Sequence, residues 1–583
     1  MQRRILAIAS LLLSIVSFSF VAVSPANARA QAINLKQPTA KLADFPTVDP
    51  NYIYDQLYYM ATHFVHREAG YDDDLPAVFN GHDEFATYWA QEAMKDLQGF
   101  GPQERIDTFK VQGWVGRTAP VPAFNVEVTV PGIVHPEQVV VIGCHYDGEA
   151  VSTQSANDDA SGCAIELGVA KALGAFWRSH HDYPARTLRF VIFDAEEQGL
   201  FGSFHYANST INGDTRNIVA MFNEEQSGIA YPLRYLGETS NPVLPMYVDM
   251  TPLTNNSLYP QQDRLSARQK SAISNFHALM QQAVPAAFAQ FQALGYQTLN
   301  YRTSDNQAVD QPIFTPEQTQ NIQLENDNLG SSDQVPFTLA GAPCATLVGN
   351  STYYDQNPPP WSYPFDQKQD TIQLMNTFAS GYATKATALT LSLALPGMLT
   401  TWMLHQPSIL GEAAFDGKPL AAISDIGQTV INQPVALDAK ASFDPRNPSS
   451  ALSYAWNFGD GATATGIAVN HTYAKIGNYT LTLSVTSPSG TRRVNKVITV
   501  GIAPTNYPNP YGQYQATGFP PANPQVILPT PISTQTAHHT VSPLTSGTAT
   551  PAWLPWAIGG IVIIIVLCII GIAIGIRRRQ NLA

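Results

Sequence analysis

Charge is scarce in this chain. Of its 583 residues only 13% are charged, and the 32 Lys and Arg are outnumbered by 45 Asp and Glu. A net charge of -13 without a basic stripe argues against a nucleic-acid binder, because phosphate backbones require clustered cations. Cysteine is scarcer still, at four. Cys568 lies in a terminal apolar run, leaving Cys144, Cys163 and Cys344 in apolar strand-like or helix-like surroundings. An odd set of this kind excludes a disulfide-dense scaffold and predicts buried free thiols. No C-x-x-C pair exists, so a thiolate zinc site is excluded too.

Apolar residues, by contrast, make up 44% of the chain, enough at this length for more than one core. The basic start Met1-Gln2-Arg3-Arg4, the apolar run from Ile5 to Val23 and the small residues around Ala28 predict a secretory signal peptide over 1–30. Trp553 to Ile576 is almost wholly apolar and ends at Arg577-Arg578-Arg579. About 20 such residues cross about 30 Å of hydrocarbon, and arginines stay on the cytoplasmic side. This predicts one transmembrane helix over 553–576 and a cytoplasmic tail over 577–583. The Pro-, Thr- and Ser-rich segment 502–551 reads as an extended stalk. The expected location is therefore the cell membrane, single-pass, with an extracellular N-terminal ectodomain.

Between these ends, helical spacing at Tyr52, Leu57, Met60 and Phe64, and again from Asp83 to Leu97, precedes alternating strands and helices. The strands are Val139–Cys144, Leu188–Phe193, Ile218–Phe222 and Ala345–Val348, with a helix from Ala160 to Trp177. The pattern predicts an α/β domain over 45–400: a mixed, mostly parallel sheet flanked by helices. Its 231–329 stretch, rich in Gln, Asn and Pro, reads as an insertion. Short alternating runs separated by turns over 421–501 predict a C-terminal all-β immunoglobulin-like sandwich.

Ligand crevices in open α/β sheets lie beyond the strands' carboxyl ends, where this chain places its reactive side chains. His145 and Asp147 end one strand, Asp158 lies in the following loop, and Glu196 and Glu197 follow the next strand. Histidine and carboxylates so arranged suit a two-metal hydrolase, in which the cations activate a water and a carboxylate takes its proton.

The motifs Gly143-Cys144-His145-Tyr146-Asp147-Gly148, Asn157-Asp158-Asp159-Ala160-Ser161-Gly162 and Phe193-Asp194-Ala195-Glu196-Glu197-Gln198-Gly199 resemble the co-catalytic zinc exopeptidases. That family includes secreted bacterial leucine aminopeptidases and glutamate carboxypeptidase, with glutaminyl cyclases as single-zinc relatives. The resemblance spans roughly Asn51 to Ser392. It implies that His145 is a ligand of one ion, Asp158 bridges both, Glu197 holds the second, Asp147 orients His145 from behind, and Glu196 is the general base.

The chain departs from the family at two places. Asn223-Glu224-Glu225 puts Glu225 where an Asp ligand is usual, with Glu224 as the alternative. Tyr363-Pro364-Phe365-Asp366, shortly before Asp370-Thr371, puts Asp366 where a His is usual. The expected cofactors are two divalent ions, zinc as in the family, with manganese or cobalt as the alternatives that the extra carboxylate makes more plausible. The implied activity is that of an aminopeptidase on extracellular peptides; carboxypeptidase action, or a degenerate domain serving as a surface binding module, are the alternatives. Downstream, Trp456-Asn457-Phe458-Gly459-Asp460-Gly461 with His471-Thr472-Tyr473 resembles a PKD domain. Trp456 and His471 are then core and motif residues, and the resemblance implies polysaccharide or protein contact for the module.

Overall fold

The structure, a computed structural model, describes residues 45–501 except 70–80, 112–119, 211–216, 229–230, 233–241, 244–245, 297, 303–307, 313, 316–318, 320–321, 329, 331, 350–365, 381–386, 425 and 427–428. The expected signal peptide, stalk and transmembrane helix lie outside the described residues. Among those described, no helix is long and apolar enough to cross a membrane.

Eight strands form the central sheet: β1 (Gln103–Val111), β2 (Val121–Val130), β3 (His135–His145), β4 (Arg186–Phe193), β5 (Ile218–Glu225), β6 (Met246–Met250), β7 (Ile322–Asn326) and β8 (Cys344–Gly349). Their order is β1-β2-β4-β3-β5-β8-β6-β7. The centre is parallel, with β3 between β4 and β5 and with β8 beside β5. The β1–β2, β2–β4 and β8–β6 pairs are antiparallel. The sheet is mixed, as expected.

Helices α1 (Pro50–His63), α2 (Gly81–Asp96), α3 (Ala160–His180), α5 (Ala267–Ala293) and α8 (Thr387–His405) contribute to one large core with residues such as Ile142, Cys144, Ile192 and Phe222. On the opposite face, Val141, Val191, Phe193 and Met221 pack with Phe337 of the short α6 (Val335–Leu339). Two further short helices are α4 (Phe201–His205) and α7 (Ile372–Ser380). α3 starts where it does because the Asp159 side chain accepts from the Gly162 N–H at 2.8 Å, an N-cap. It stops at His181, whose left-handed φ of 57° turns the chain back. A side chain at Gly162 would come within 2.1 Å of the Glu224 carbonyl, so glycine lets the helix start lie directly on β5.

Two expectations are corrected. Residues 231–329 are no insertion: β6 and β7 complete one side of the central sheet, and α5 packs its Phe276 ring 5.4 Å from Phe222. Along α5, Ser271, Ser274, Asn275, Gln281 and Gln282 are exposed, while Ile273, Phe276, Met280 and Val284 recur at helical spacing and are buried. Nor are Cys144 and Cys163 free thiols: they form a disulfide across Cα atoms 5.5 Å apart. Cys144 ends β3 on the α3 face and Cys163 sits in the first turn of α3, so packing the helix on the strand brings them together. Cys344 is free and buried.

The C-terminal β domain has the five-stranded sheet β9-β15-β14-β11-β12 opposite the pair β10-β13. These strands are β9 (Thr429–Val430), β10 (Pro434–Asp438), β11 (Ser453–Asn457), β12 (Thr463–Thr465), β13 (Ala468–Thr472), β14 (Gly477–Ser487) and β15 (Gly490–Gly501). Trp456, Phe458, Tyr473, Leu481 and Leu483 fill its core, while the His471 ring stacks on Phe458 at 3.9 Å. The domain is seated on the α/β domain by specific contacts. Arg492 of β15 donates to the carbonyls of Ile133 (2.6 Å) and Pro419 (2.7 Å) and pairs with Asp416. Phe443 packs so closely on Gly101 that a side chain there would come within 1.9 Å of the ring. Ile133 precedes β3, so this seat lies at the opposite end of that strand from His145.

Candidate metal centre

β3, β4 and β5 run parallel and side by side, so the residues at their carboxyl ends converge. His145 Nε2 lies 3.0 Å from Asp158 Oδ1 and 3.6 Å from Glu225 Oε1. Two triads, His145–Asp158–Glu197 and His145–Glu196–Glu225, each offer ligand atoms within 4.8 Å of one another. Asp366 joins from the loop before α7, beside Asp158 and Glu197. The structure thus brings together His145, Asp158, Glu196, Glu197, Glu225 and Asp366.

Several residues of the centre are held from outside the cluster. Asp147 Oδ1 lies 3.5 Å from His145 Nδ1, and its two oxygens accept from the backbone N–H groups of Glu196 (3.1 Å) and Glu197 (3.3 Å). One carboxylate thereby ties the end of β3 to the loop after β4. Ala195, at φ 58°, adopts a left-handed conformation uncommon outside glycine, which lets that loop turn sharply into the site. Glu225 Oε2 accepts from Ser332 Oγ at 2.6 Å, and Asn223 Nδ2 donates to the same hydroxyl at 2.8 Å. Glu224, the alternative ligand, points to the other face of β5 and accepts from Thr400 Oγ1; it is not part of the site.

Several supporting residues had not been picked out from the sequence. Buried Asp370 accepts from the N–H groups of Asn157 (2.9 Å) and Asp158 (3.0 Å). Arg67, also buried, donates to the carbonyls of Tyr146 (2.7 Å), Gln154 (2.6 Å) and Ser155 (2.8 Å), bracing the whole loop between His145 and Asp158. Gln226 Nε2 donates to Asp158 Oδ2 at 2.9 Å. Asp333 is fully buried beside this cluster. Asp370 stood in a quoted motif without an assigned role. Arg67 carries no local signal, because it acts on carbonyls far along the chain.

The electrostatics indicate what the cluster is suited to hold. Burial, then the Asp366 and Asp158 carboxylates, holds Glu197 well above the usual carboxylate range. Burial and then Asp158 push Asp366 to about 10. Burial disfavours the His145 cation, but Glu196 and Glu225 outweigh it and raise that imidazole well above its ordinary value. Among these groups, Glu197 Oε1, Asp366 Oδ1 and His145 Nδ1 are buried without a hydrogen-bond partner. Crowded carboxylates with one imidazole and unsatisfied acceptor oxygens fit divalent cations, which remove the mutual repulsion. His145, Asp158, Glu197, Glu225 and Asp366 would hold them.

Residues 125–312 match peptidase family M28, and residues 417–502 match the PKD domain. Among curated proteins, a probable zinc metalloprotease of Pyricularia oryzae is 31% identical over 153 residues, covering 24% of this chain and 29% of the relative. Carboxypeptidase Q of Homo sapiens is 40% identical over 87 residues, covering 14% of this chain and 17% of that protein. The chain thus spans less than a third of the length of the curated relatives it matches. Among solved structures, the zinc aminopeptidase BSAP of Bacillus subtilis aligns with TM-score 0.40 at 14% identity, covering 63% of this chain and 96% of that one. The glutaminyl cyclase of Porphyromonas gingivalis aligns with TM-score 0.38 at 14% identity, covering 62% and 98%. The segment matching peptidase family M28 contains His145, Asp158, Glu196, Glu197 and Glu225, and the PKD domain match follows it.

Proposed function

We propose that the chain is a cell-surface, metal-dependent exopeptidase, most simply an aminopeptidase, working with two divalent ions. One observation carries the reading: five carboxyl groups, Glu196 among them, and one imidazole converge at the ends of three adjacent parallel strands. The ions, when bound, would polarise the scissile carbonyl and acidify the attacking water. Glu196 accepts the proton of that water as its oxygen attacks the carbonyl carbon. It then passes the proton to the leaving amine nitrogen as the C–N bond breaks. Burial, together with Glu225 and Asp333 and against the pull of His145, holds the Glu196 carboxyl well above the usual range.

Glu196→Gln tests this. The variant should keep its metal while hydrolysis of aminoacyl substrates falls by about 10²–10⁴-fold. Undiminished cleavage would remove Glu196 from the chemistry, and a wild-type protein that binds metal but cleaves nothing would leave a binding module. A second reading, carboxypeptidase action, draws on the 87-residue similarity to carboxypeptidase Q; peptides blocked at one end or the other separate the two. Surface location is supported by the basic and apolar start of 1–30, the apolar 553–576 and the buried disulfide, since such bonds persist in oxidising compartments. The PKD domain would contact polysaccharide or protein beside the membrane.

A further inference from the structure

The two sides of the centre are chemically unequal. One side has the imidazole of His145 with Glu225 and Asp158 Oδ1. On the other, around Glu197, the carboxyl groups of Asp158 and Asp366 predominate, with His145 the single imidazole within reach, because an aspartate stands at position 366. Three carboxylates around one divalent ion overcompensate its charge and repel one another, so a neutral oxygen donor would complete that side better than a fourth anion.

Gln226 stands at that place. Its side-chain amide lies 2.9 Å from Asp158 Oδ2, the oxygen turned away from His145. Two oxygens sharing one octahedral ion at about 2.1 Å lie about 3 Å apart, so the amide already sits at the separation of a co-ligand. Its placement is built rather than incidental. Gln226 has φ 43°, a left-handed conformation that a non-glycine residue adopts only when its surroundings impose it. Its N–H is bound by Asp159 Oδ1 at 3.1 Å, and its carbonyl lies so close to Gly349 that a side chain there would come within 2.4 Å. An amide facing a lone carboxylate presents nitrogen; facing a cation beside that carboxylate, it presents oxygen by a half-turn about its last bond.

We infer that Gln226 is a metal ligand, supplying Oε1 as the neutral donor to the ion held by Asp158, Glu197 and Asp366. The inference rests on the two-ion reading above. It makes that side an all-oxygen site, suited to a harder ion such as Mn²⁺, while the His145 side keeps its nitrogen donor.

The test uses the full chain, stripped with a chelator and titrated with Mn²⁺, with stoichiometry read by elemental analysis and ion pairing by electron paramagnetic resonance. Wild type should bind two ions and show the spectrum of a coupled pair. Gln226→Leu, nearly the same shape without the oxygen, should keep the first ion, bind the second at least about ten-fold more weakly, and lose the coupled spectrum. Gln226→Glu, which restores an oxygen but adds a fourth carboxylate, should bind the second ion more tightly than Gln226→Leu and less tightly than wild type. Two ions bound with unchanged affinity in Gln226→Leu would overturn the assignment and leave the two-ion reading intact. A wild type that binds one ion or none would overturn both. If Gln226→Leu fails to fold, Gln226→Met, of similar length and without the oxygen, decides: a second ion bound at least about ten-fold more weakly supports the ligand role, and unchanged affinity refutes it.

Discussion

A buried carboxyl set beside other carboxylates is a stability term that depends on pH. Asp249 of β6 is 7% exposed, and burial, then Asp327 and Glu325, push its carboxyl to about 8. In the unfolded chain the same group titrates near 4. Between those values the unfolded state is ionised while the folded state keeps its proton, so stability falls as pH rises from about 4 to about 8. This is the opposite sign from a salt-bridged aspartate. Asp249→Asn should therefore raise the melting temperature by several degrees at pH 8 and by little at pH 5, as followed by circular dichroism. An equal gain at both pH values would contradict the sign. At this scale the sequence was informative for side chains that end strands, because His145, Asp158, Glu196 and Glu197 sit in local motifs. It was uninformative for Arg67 and Gln226, whose partners are set by loop conformation, which spacing does not reveal.

Elements decide how firmly the ligands are spaced. His145 ends β3, Asp158 precedes α3, and the disulfide joins their neighbours Cys144 and Cys163, 19 residues apart. Closing a loop of this length restrains the unfolded chain by about 3 kcal/mol. Cys163→Ala should lower the unfolding free energy by about that amount in denaturant titration. A loss below about 1 kcal/mol would mean that packing of α3 on β3, through Gly162 and the Asp159 cap, already supplies the constraint. Counting cysteines could not find this bond, because an odd total leaves pairing open until strand and helix are placed together. The 231–329 stretch misled for a related reason: β6 and β7 are short, five residues each, and their burial is set by neighbours distant in sequence. The long helices and the buried β3 and β4, by contrast, carry their periodicity in their own residues.

At the scale of the whole molecule, the PKD domain is seated rather than tethered. Arg492 spans Ile133 of one domain and Pro419 and Asp416 leading into the other, and Tyr183 stacks on Phe415 with ring centroids 4.6 Å apart. Such contacts couple the two domains thermally. Arg492→Ala, which leaves the Ile133 carbonyl without its donor, should cost about 1–3 kcal/mol and split one calorimetric transition into two. A single unchanged transition would show that the apolar contacts alone fuse the domains. The two-domain order and the PKD core were legible from the W-x-F-G-D-G motif and its alternating runs. The seat was not, because Gly101, Phe443 and Arg492 belong to no shared pattern.

β15 begins beside Arg492 and ends at Gly501, nine residues on, or about 30 Å at strand rise. A pull applied where the chain leaves Gly501 runs along that strand. It is opposed in shear by the β14–β15 ladder, from Gly477–Val500 to Ser487–Gly490, so its hydrogen bonds load together rather than one at a time. The load then passes through Arg492 to Ile133, just ahead of β3, the strand whose far end carries His145. Traction on the C-terminal side would thus be borne by the sheet's backbone before it reached the metal ligands. That is the loading which the membrane tether proposed above would apply.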